Sequence, residues 1–380
     1  MTIDLSDVRV KIDALDDQLV DLFKKRMDLA MDVAKVKKSE NLPILNTARE
    51  RAIINRLTEN EADDMAGYIK ILYTTLFDVS RAYQADYLYQ TSEIGDKIKK
   101  ALEETPKVFP KRATVACQGI EGANSMSACE KLFERPSIVY FNSFEGVFSA
   151  VEQGLCQYGI LPIENSLRGS VIANYDLMSK HHFYIVNSVK IKINHCLMAK
   201  PGTKKSDIKV IYSHEQALGQ CSEMLANMDV KVIPCENTAV AARMVSESAD
   251  NSVAALSSKQ CAELYQLEIL EENTQNNENN YTKFICISKK LEIYPGAKKI
   301  SLMMTLPHKP GSLYEMIAKF SALGINLTKL ESRPIPNKDF EFMFYFDLDI
   351  SVYDQAVFNL FAQLEHGTEE FEFMGCYTEV

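Results

Sequence analysis

From Leu5 onward, apolar residues recur in alternating three- and four-residue steps: Val8, Ile12, Leu15, Leu19, Leu22, Leu29, Val33 and Val36. Such a seam predicts one long helix, capped at Asp4 or Ser6 and running to about Lys38, that buries its stripe against partner helices. A helix about 50 Å long with two shorter companions cannot close into a compact monomer, so the seam asks for a second chain. One position breaks the pattern. Arg26 stands between Leu22 and Leu29, where an apolar residue is expected. A guanidinium in a helical core is costly unless an anion meets it. The helix is therefore expected to close around a carboxylate, either of the protein or of a ligand.

Residues 1–90 read as all helix. Asn41-Leu-Pro43 ends the first helix, a second starts at Thr47, and a third covers roughly Met65 to Tyr89. Thr47-Ala-Arg-Glu50 reads as a capping box. Residues 91–112 read as a linker, a short charged helix followed by PKVFPKR. From Ala113 the period changes to short apolar runs (TVAC, SIVYF, YGILPI, FYIV, then KVIYS, VKVIPC and SVAALSS) alternating with helical stretches. Residues 113–290 are thus expected to form two α/β lobes with a cleft between them, 113–190 plus 281–290 making one lobe and 191–270 the other. Residues 271–280, EENTQNNENN, read as a polar loop. Residues 299–377 follow the order βαββαβ, the α+β ferredoxin-like unit.

Composition limits the partners. The net charge of −10 argues against nucleic acid or an anionic membrane surface. MTIDLSDVRV has neither the basic nor the apolar region of a signal peptide, and no apolar run approaches a membrane span. Nine cysteines, none in C-x-x-C spacing, read as reduced buried thiols of a cytoplasmic protein. The six histidines show no metal-ligand spacing.

Arg26 and Lys37 are eleven residues apart, three helical turns, so they share a face and lie ~16 Å apart along the axis. They can grip the two ends of one small molecule. Arg9 is roughly 25 Å from Arg26 and off its face, so it can serve only a partner chain's site. Ser80 and Gln84, four apart, face the same way on the third helix. Arg9, Arg26, Lys37, Arg49-Glu50, Ser80 and Gln84 resemble the residue pattern of the all-helical class of chorismate mutase. The resemblance implies an interlocked dimer in which Arg9, Arg26 and Arg49 hold carboxylates and Ser80 lies near one. It also implies that Lys37 and Gln84 meet the ether oxygen and that Glu50 meets the substrate hydroxyl. Asn46 stands where many members of that family carry Asp. Asn still hydrogen-bonds a hydroxyl, so function is expected to survive.

The α/β region carries no G-x-G-x-x-G and no phosphate-binding loop. Three polar clusters end its apolar strands: Pro162-Ile-Glu164-Asn165-Ser166-Leu-Arg-Gly169-Ser170, Ser213-His214-Glu215-Gln216, and Tyr281-Thr282-Lys283-Phe284. Strand ends leading into helix starts present backbone N–H groups, which suit carboxylates. Together the clusters resemble prephenate dehydratase. That resemblance implies loss of water and carbon dioxide from prephenate to give phenylpyruvate, with no cofactor and with Thr282 essential. A hydroxyl is a weak acid, so Thr282 is expected to polarise the leaving group, with Glu164 as candidate proton donor if its pKa is raised. Asn165, Ser166, Ser170, Ser213 and Gln216 are expected to hold the carboxylates and the hydroxyl.

In the tail, Pro310-Gly311-Ser312-Leu313 and Glu331-Ser332-Arg333-Pro334 resemble the effector motifs of the ACT domain. They imply a phenylalanine site that involves Gly311, Ser312, Leu313, Glu331, Ser332 and Arg333. Taken together, the chain resembles the bifunctional chorismate mutase/prephenate dehydratase family with a C-terminal ACT regulatory domain. The expected fold is multidomain: an all-α mutase domain, a two-lobed α/β dehydratase domain and an α+β ferredoxin-like ACT domain. The expected partners are chorismate, prephenate, phenylalanine and a homodimer or higher homo-oligomer. Two other readings stand beside it: a dehydratase whose helical domain only dimerises or regulates, and a non-catalytic two-lobed sensor of a small acid.

Overall fold

The computed structural model describes residues 4–88, 92–335, 338 and 341–380. Tyr89, the expected end of the third helix, and Phe340, the expected start of a tail strand, lie outside the described residues. Helices α1 (Leu5–Glu40), α2 (Thr47–Thr58), α3 (Asp63–Leu88) and α4 (Glu93–Glu104) come first. Then follow β1 (Thr114–Gln118), α5 (Asn124–Leu132), β2 (Ser137–Phe141), α6 (Phe144–Glu152), β3 (Tyr158–Asn165), β4 (Gly169–Ser170), α7 (Ile172–His181) and β5 (Tyr184–Lys192). A second series is β6 (Cys196–Ala199), β7 (Val210–His214), α8 (Glu215–Gln220), α9 (Ser222–Ala226), β8 (Lys231–Cys235) and α10 (Thr238–Glu247). It continues through β9 (Val253–Ser257), α11 (Lys259–Leu264) and β10 (Glu268–Glu271) to β11 (Tyr281–Ser288). The tail holds β12 (Lys299–Thr305), α12 (Ser312–Ala322), β13 (Asn326–Pro334), β14 (Phe342–Asp349), α13 (Gln355–Gly367) and β15 (Phe371–Tyr377).

The chain divides into two compact units. One comprises Met1–Lys97, Leu306–Gly324 and Tyr353–Phe371; the other comprises Ile98–Thr305, Ile325–Val352 and Glu372–Val380. In the first, α1 packs on α3. The face of α1 that packs within the chain is not the seam read from the sequence. Met27, Ala30 and Ala34 are buried, and the two alanines let the α3 backbone come close. Leu15, Leu19, Leu22 and Leu29 of the seam are 58–66% exposed. The start of α2 also differs from expectation. Asn46, not Thr47, is the N-cap, its Oδ1 accepting from the Arg49 amide at 3.0 Å. Glu50 closes no capping box and pairs instead with Arg81.

The second unit holds three sheets. The first runs β2-β1-β3-β11-β5, with β4 added on β3. Its strands β1, β2 and β3 are parallel, whereas β11 runs antiparallel between β3 and β5. The second sheet runs β10-β6-β9-β7-β8. The chain leaves the first sheet after β5, builds the second, and returns as β11. That return sets Tyr281–Phe284 beside the end of β3.

The tail strands form the third sheet, ordered β13-β14-β12-β15. One face of it shares a core with the first sheet, where Met303, Met343, Tyr345, Met374 and Tyr377 join Ile163, Ile185, Ile285 and Ile287. Gly375, at φ 137, makes this approach possible: a Cβ there would lie 2.2 Å from the Ile185 carbonyl oxygen. The segment after Lys97 is not a free linker. Phe109 packs against the rings of Phe133, Tyr158 and Tyr294 at 4.9–6.0 Å, and the Ile293 amide donates to Thr105 Oγ1 at 3.1 Å. All nine cysteines are free thiols. Among the described residues, no helix is long and apolar enough to cross a membrane.

Candidate active sites

The first site is a pocket of about 340 Å³ in the helical unit. Its wall brings together Arg26, Lys37, Asn46, Arg49, Glu50, Ser80 and Gln84, seven residues singled out from three helices and their caps. Arg9 is absent from it, exposed on the first half of α1. Lys37 is aimed by two acceptors, the Ile44 carbonyl and Gln84 Oε1, the latter at 3.3 Å. The Gln84 amide in turn donates to Ser80 Oγ at 3.3 Å. Arg26 donates to the Leu76 carbonyl at 3.3 Å and lies 5.7 Å from the centre of the Phe77 ring. Burial pulls the Lys37 ammonium below the usual lysine range; Glu50 opposes that shift and Arg81 adds to it.

Arg81 is a member that sequence reasoning missed. It lines the pocket and spans Glu50 and Asp78. Its position directly after Ser80 was the available signal, but one exposed-looking arginine on a helix carries little information by itself.

The second site is a cleft of about 470 Å³ within the other unit. Of the expected residues, Asn165, Gln216 and Thr282 line it. The Asn165 amide donates to Thr282 Oγ1 at 3.0 Å and to Asn280 Oδ1 at 2.9 Å. Asn280 donates to Gln220 Oε1 at 3.0 Å, and His195 Nε2 lies 2.9 Å from the same oxygen. Because that oxygen only accepts, Nε2 carries the proton of His195. Burial holds the imidazole below its usual pKa, with the Gln220 bond working the other way, and so favours the neutral ring. The start of α5 also faces the cleft through Asn124 and Ser125. Its N-cap, Ala123, has no capping side chain, which leaves first-turn N–H groups free for a carboxylate.

Four expected cleft residues are placed elsewhere. Ser213 is fully buried and donates to the Leu256 carbonyl at 2.6 Å. Ser166 closes its own loop, donating to the Asn279 carbonyl at 2.9 Å and accepting from the Tyr281 amide at 3.0 Å. Glu164 and Ser170 point to the opposite face of the sheet from Thr282. There both meet Lys329 at 2.7 Å, and Ser170 also donates to Glu331. Strand alternation forces this result: Asn165 pairs with Thr282 in register, so their neighbours Glu164 and Lys283 turn the other way. Glu164 is therefore not the proton donor of the cleft. His195, Gln220 and Asn280 were not anticipated. Asn280 ends the Asn-rich loop immediately before the Tyr281-Thr282 motif, and that adjacency was its only signal.

In the tail, Gly311 adopts φ 91 as the N-cap of α12, and the Ser312 hydroxyl donates to the Lys309 carbonyl at 3.2 Å. Leu313 is half-buried. On β13, Ser332 is exposed, while Glu331 and Arg333 turn inward, Arg333 making a two-pronged pair with Asp176 at 2.9 and 3.1 Å.

A family model described as chorismate mutase type II matches residues 8–85, and one described as prephenate dehydratase matches residues 115–292. Arogenate dehydratase/prephenate dehydratase 1, chloroplastic, of Arabidopsis thaliana is 37% identical over 282 residues, which is 70% of this chain and 72% of the relative. The bifunctional chorismate mutase/prephenate dehydratase of Escherichia coli is 30% identical over 381 residues, 97% of this chain and 95% of the relative. Among solved structures, prephenate dehydratase from Arthrobacter aurescens in complex with L-Phe aligns with a TM-score of 0.64 and 27% identity, over 70% of this chain and 89% of that one. The match over nearly its whole length, to a relative that joins both matched regions, places the chain in the bifunctional chorismate mutase/prephenate dehydratase family.

Proposed function

We propose that the helical pocket rearranges chorismate to prephenate, that the cleft converts prephenate to phenylpyruvate, and that phenylalanine binding to the tail restrains the chain. The observation that carries this reading is the convergence of Arg26, Lys37, Asn46, Arg49, Glu50, Ser80 and Gln84 on one pocket. The rearrangement is intramolecular and needs no nucleophile or base. The pocket has to hold the compact conformer of a dianion and meet the charge that grows on the breaking ether oxygen. In this reading Lys37 and Gln84 meet that oxygen, Arg26 and Arg49 hold carboxylates with Ser80 near one, and Glu50 takes the ring hydroxyl. Arg81 holds the Glu50 carboxylate in place through their ion pair. Arg9 completes the site of a second copy. The bare leucine seam of α1 favours such a dimer, because an apolar stripe of that length is seldom left in water.

In the cleft, prephenate loses its ring hydroxyl and its ring carboxylate, and aromatisation drives both losses. Thr282 Oγ1 accepts from Asn165, so its own hydrogen is free to point at the departing hydroxyl. Neutral His195 and the amides of Gln220 and Asn280 support that orientation without adding charge. The βαββαβ tail is read as an ACT domain, and the relative solved in complex with L-Phe favours phenylalanine as effector. One preparation tests the whole reading. Chorismate absorbance should fall, phenylpyruvate should appear, and Arg26→Ala should stop the first reaction while sparing the second and the dimer. An Arg26→Ala protein that still consumes chorismate but has become monomeric would show that the arginine is structural.

A further inference from the structure

Behind the cleft, four charged side chains form an alternating square. Glu164 and Lys283 are register neighbours on β3 and β11, and Lys329 and Asp347 are register neighbours on β13 and β14. Across the two sheets, Lys329 Nζ lies 2.7 Å from Glu164 Oε1, and Lys283 Nζ lies 3.1 Å from Asp347 Oδ2. Each acid therefore has a base beside it in its own sheet and another across from it. Lys283 and Asp347 are 10% and 20% exposed and Lys329 is 16% exposed, so three corners are largely shielded from bulk water, while Glu164, at 36%, reaches solvent. Other groups brace it. Glu379 lies 3.6 Å from Lys283, and Ser301 donates to Asp347 Oδ1 at 2.6 Å. Ser170 donates to Glu331 and accepts from Lys329.

Ion pairs packed between two sheets contribute little net stability but are strongly directional, and removing one partner strands the other. Here the direction matters. Each corner on the first sheet is the chain neighbour of a cleft residue: Glu164 precedes Asn165, and Lys283 follows Thr282. A displacement of the tail sheet would pull on Glu164 and Lys283 through these contacts. The backbone carries that pull one residue on, to the Asn165–Thr282 hydrogen bond.

We propose that Glu164, Lys283, Lys329 and Asp347 are positioning residues for dehydration, and that the tail sheet sets the Thr282–Asn165 geometry through them. This rests on the reading of the cleft as the dehydratase site. Glu331 and Arg333, which follow Lys329 on β13, connect Ser170 and Asp176 to the strand that carries the expected effector motif. A ligand that reorients β13 thereby reaches the cleft without entering it.

The test is a charge cycle in the full-length protein. It follows dehydratase kcat and KM, the response to L-phenylalanine, the melting temperature and the mutase rate of the same preparation. Glu164→Gln and Lys329→Gln should each lower dehydratase kcat ~10-fold, leave KM within about twofold, and blunt inhibition by L-phenylalanine. The double variant should be no worse than the weaker single. The exchanged pair, Glu164→Lys with Lys329→Glu, should recover most of the rate. The mutase rate should not change. Lys283→Arg should keep activity; Lys283→Met is buried and is a secondary probe, so the outer pair decides. Additive losses in the double variant, or single variants with full kcat and an intact L-phenylalanine response, would overturn the proposal. Continued dehydration by Thr282→Ala would instead overturn the reading of the cleft beneath it.

Discussion

On the reading proposed above, the two sites meet dianions of the same size in opposite ways. Among its described lining residues, the helical pocket sets Arg26, Lys37, Arg49 and Arg81 against a single acid, Glu50. The cleft has no lysine or arginine among its described lining residues; it offers amides, hydroxyls, two histidines, helix starts and one carboxylate, Glu236. The difference follows the chemistry. In the rearrangement, negative charge grows on an ether oxygen, so a fixed cation favours the transition state over the ground state. In the dehydration, the ring carboxylate sheds its charge as carbon dioxide. A cation on that group would stabilise the ground state more than the transition state and slow the reaction. The lesson is that total anion affinity says little about a site; what matters is where charge goes during the reaction.

The contrast can be broken most decisively at its two centres. Thr282→Ala should reduce phenylpyruvate formation about 10³-fold and leave chorismate consumption unchanged; equal loss of both activities would erase the distinction between the sites. Lys37→Ala should do the reverse, lowering mutase kcat about 10²-fold with the dehydratase intact, as read from the two absorbance assays.

A smaller effect is expected with pH. Burial lowers the Lys37 pKa from the usual 10.5, and only the ammonium stabilises the ether oxygen. Mutase kcat should therefore fall on the alkaline side before an ordinary lysine would titrate, and Lys37→Arg should move that limb upward. The dehydratase, with no lysine among the described residues of its wall, should lack the limb; a shared alkaline limb would count against a cleft without cations.

The smallest expected effect is with salt. Raising ionic strength from about 0.05 to 0.5 M should lower mutase kcat/KM several-fold and the dehydratase value less, because screening acts on exposed cations such as Arg49. Equal slopes would mean that the dianion meets charge in the cleft after all.

The legible parts of this molecule were those written locally. Three helices, the strands TVACQ, SIVYF and YGILPIEN, and the βαββαβ order of the tail follow from period and turn chemistry within a few residues of each other. The helical pocket was nearly complete in the sequence because its members sit at fixed spacings on rigid helices, where spacing is geometry. The cleft was legible only as motifs. In a strand, alternation tells which residues share a face but not which face meets the ligand. Glu164 and Asn165 are adjacent, and either could have been the inward one. Ser213 shows the same ambiguity, a polar residue at a strand end that proved to be a buried backbone partner.

The sequence by itself determined the elements, the length of α1, the misplaced charge at Arg26 and seven of the residues gathered by the helical pocket. All of these depend on contacts a few residues apart or on the pitch of one helix. Only the tertiary structure decided that Glu164 and Lys283 face the tail sheet. It alone recruited Arg81, His195, Gln220 and Asn280, bound Phe109 into the dehydratase core and left the leucine seam bare within one chain. Each of these depends on where a strand or segment lands after a long excursion. The pairing of β11 with β3, made after more than a hundred intervening residues, is a property of the packed sheets and not of any window of sequence.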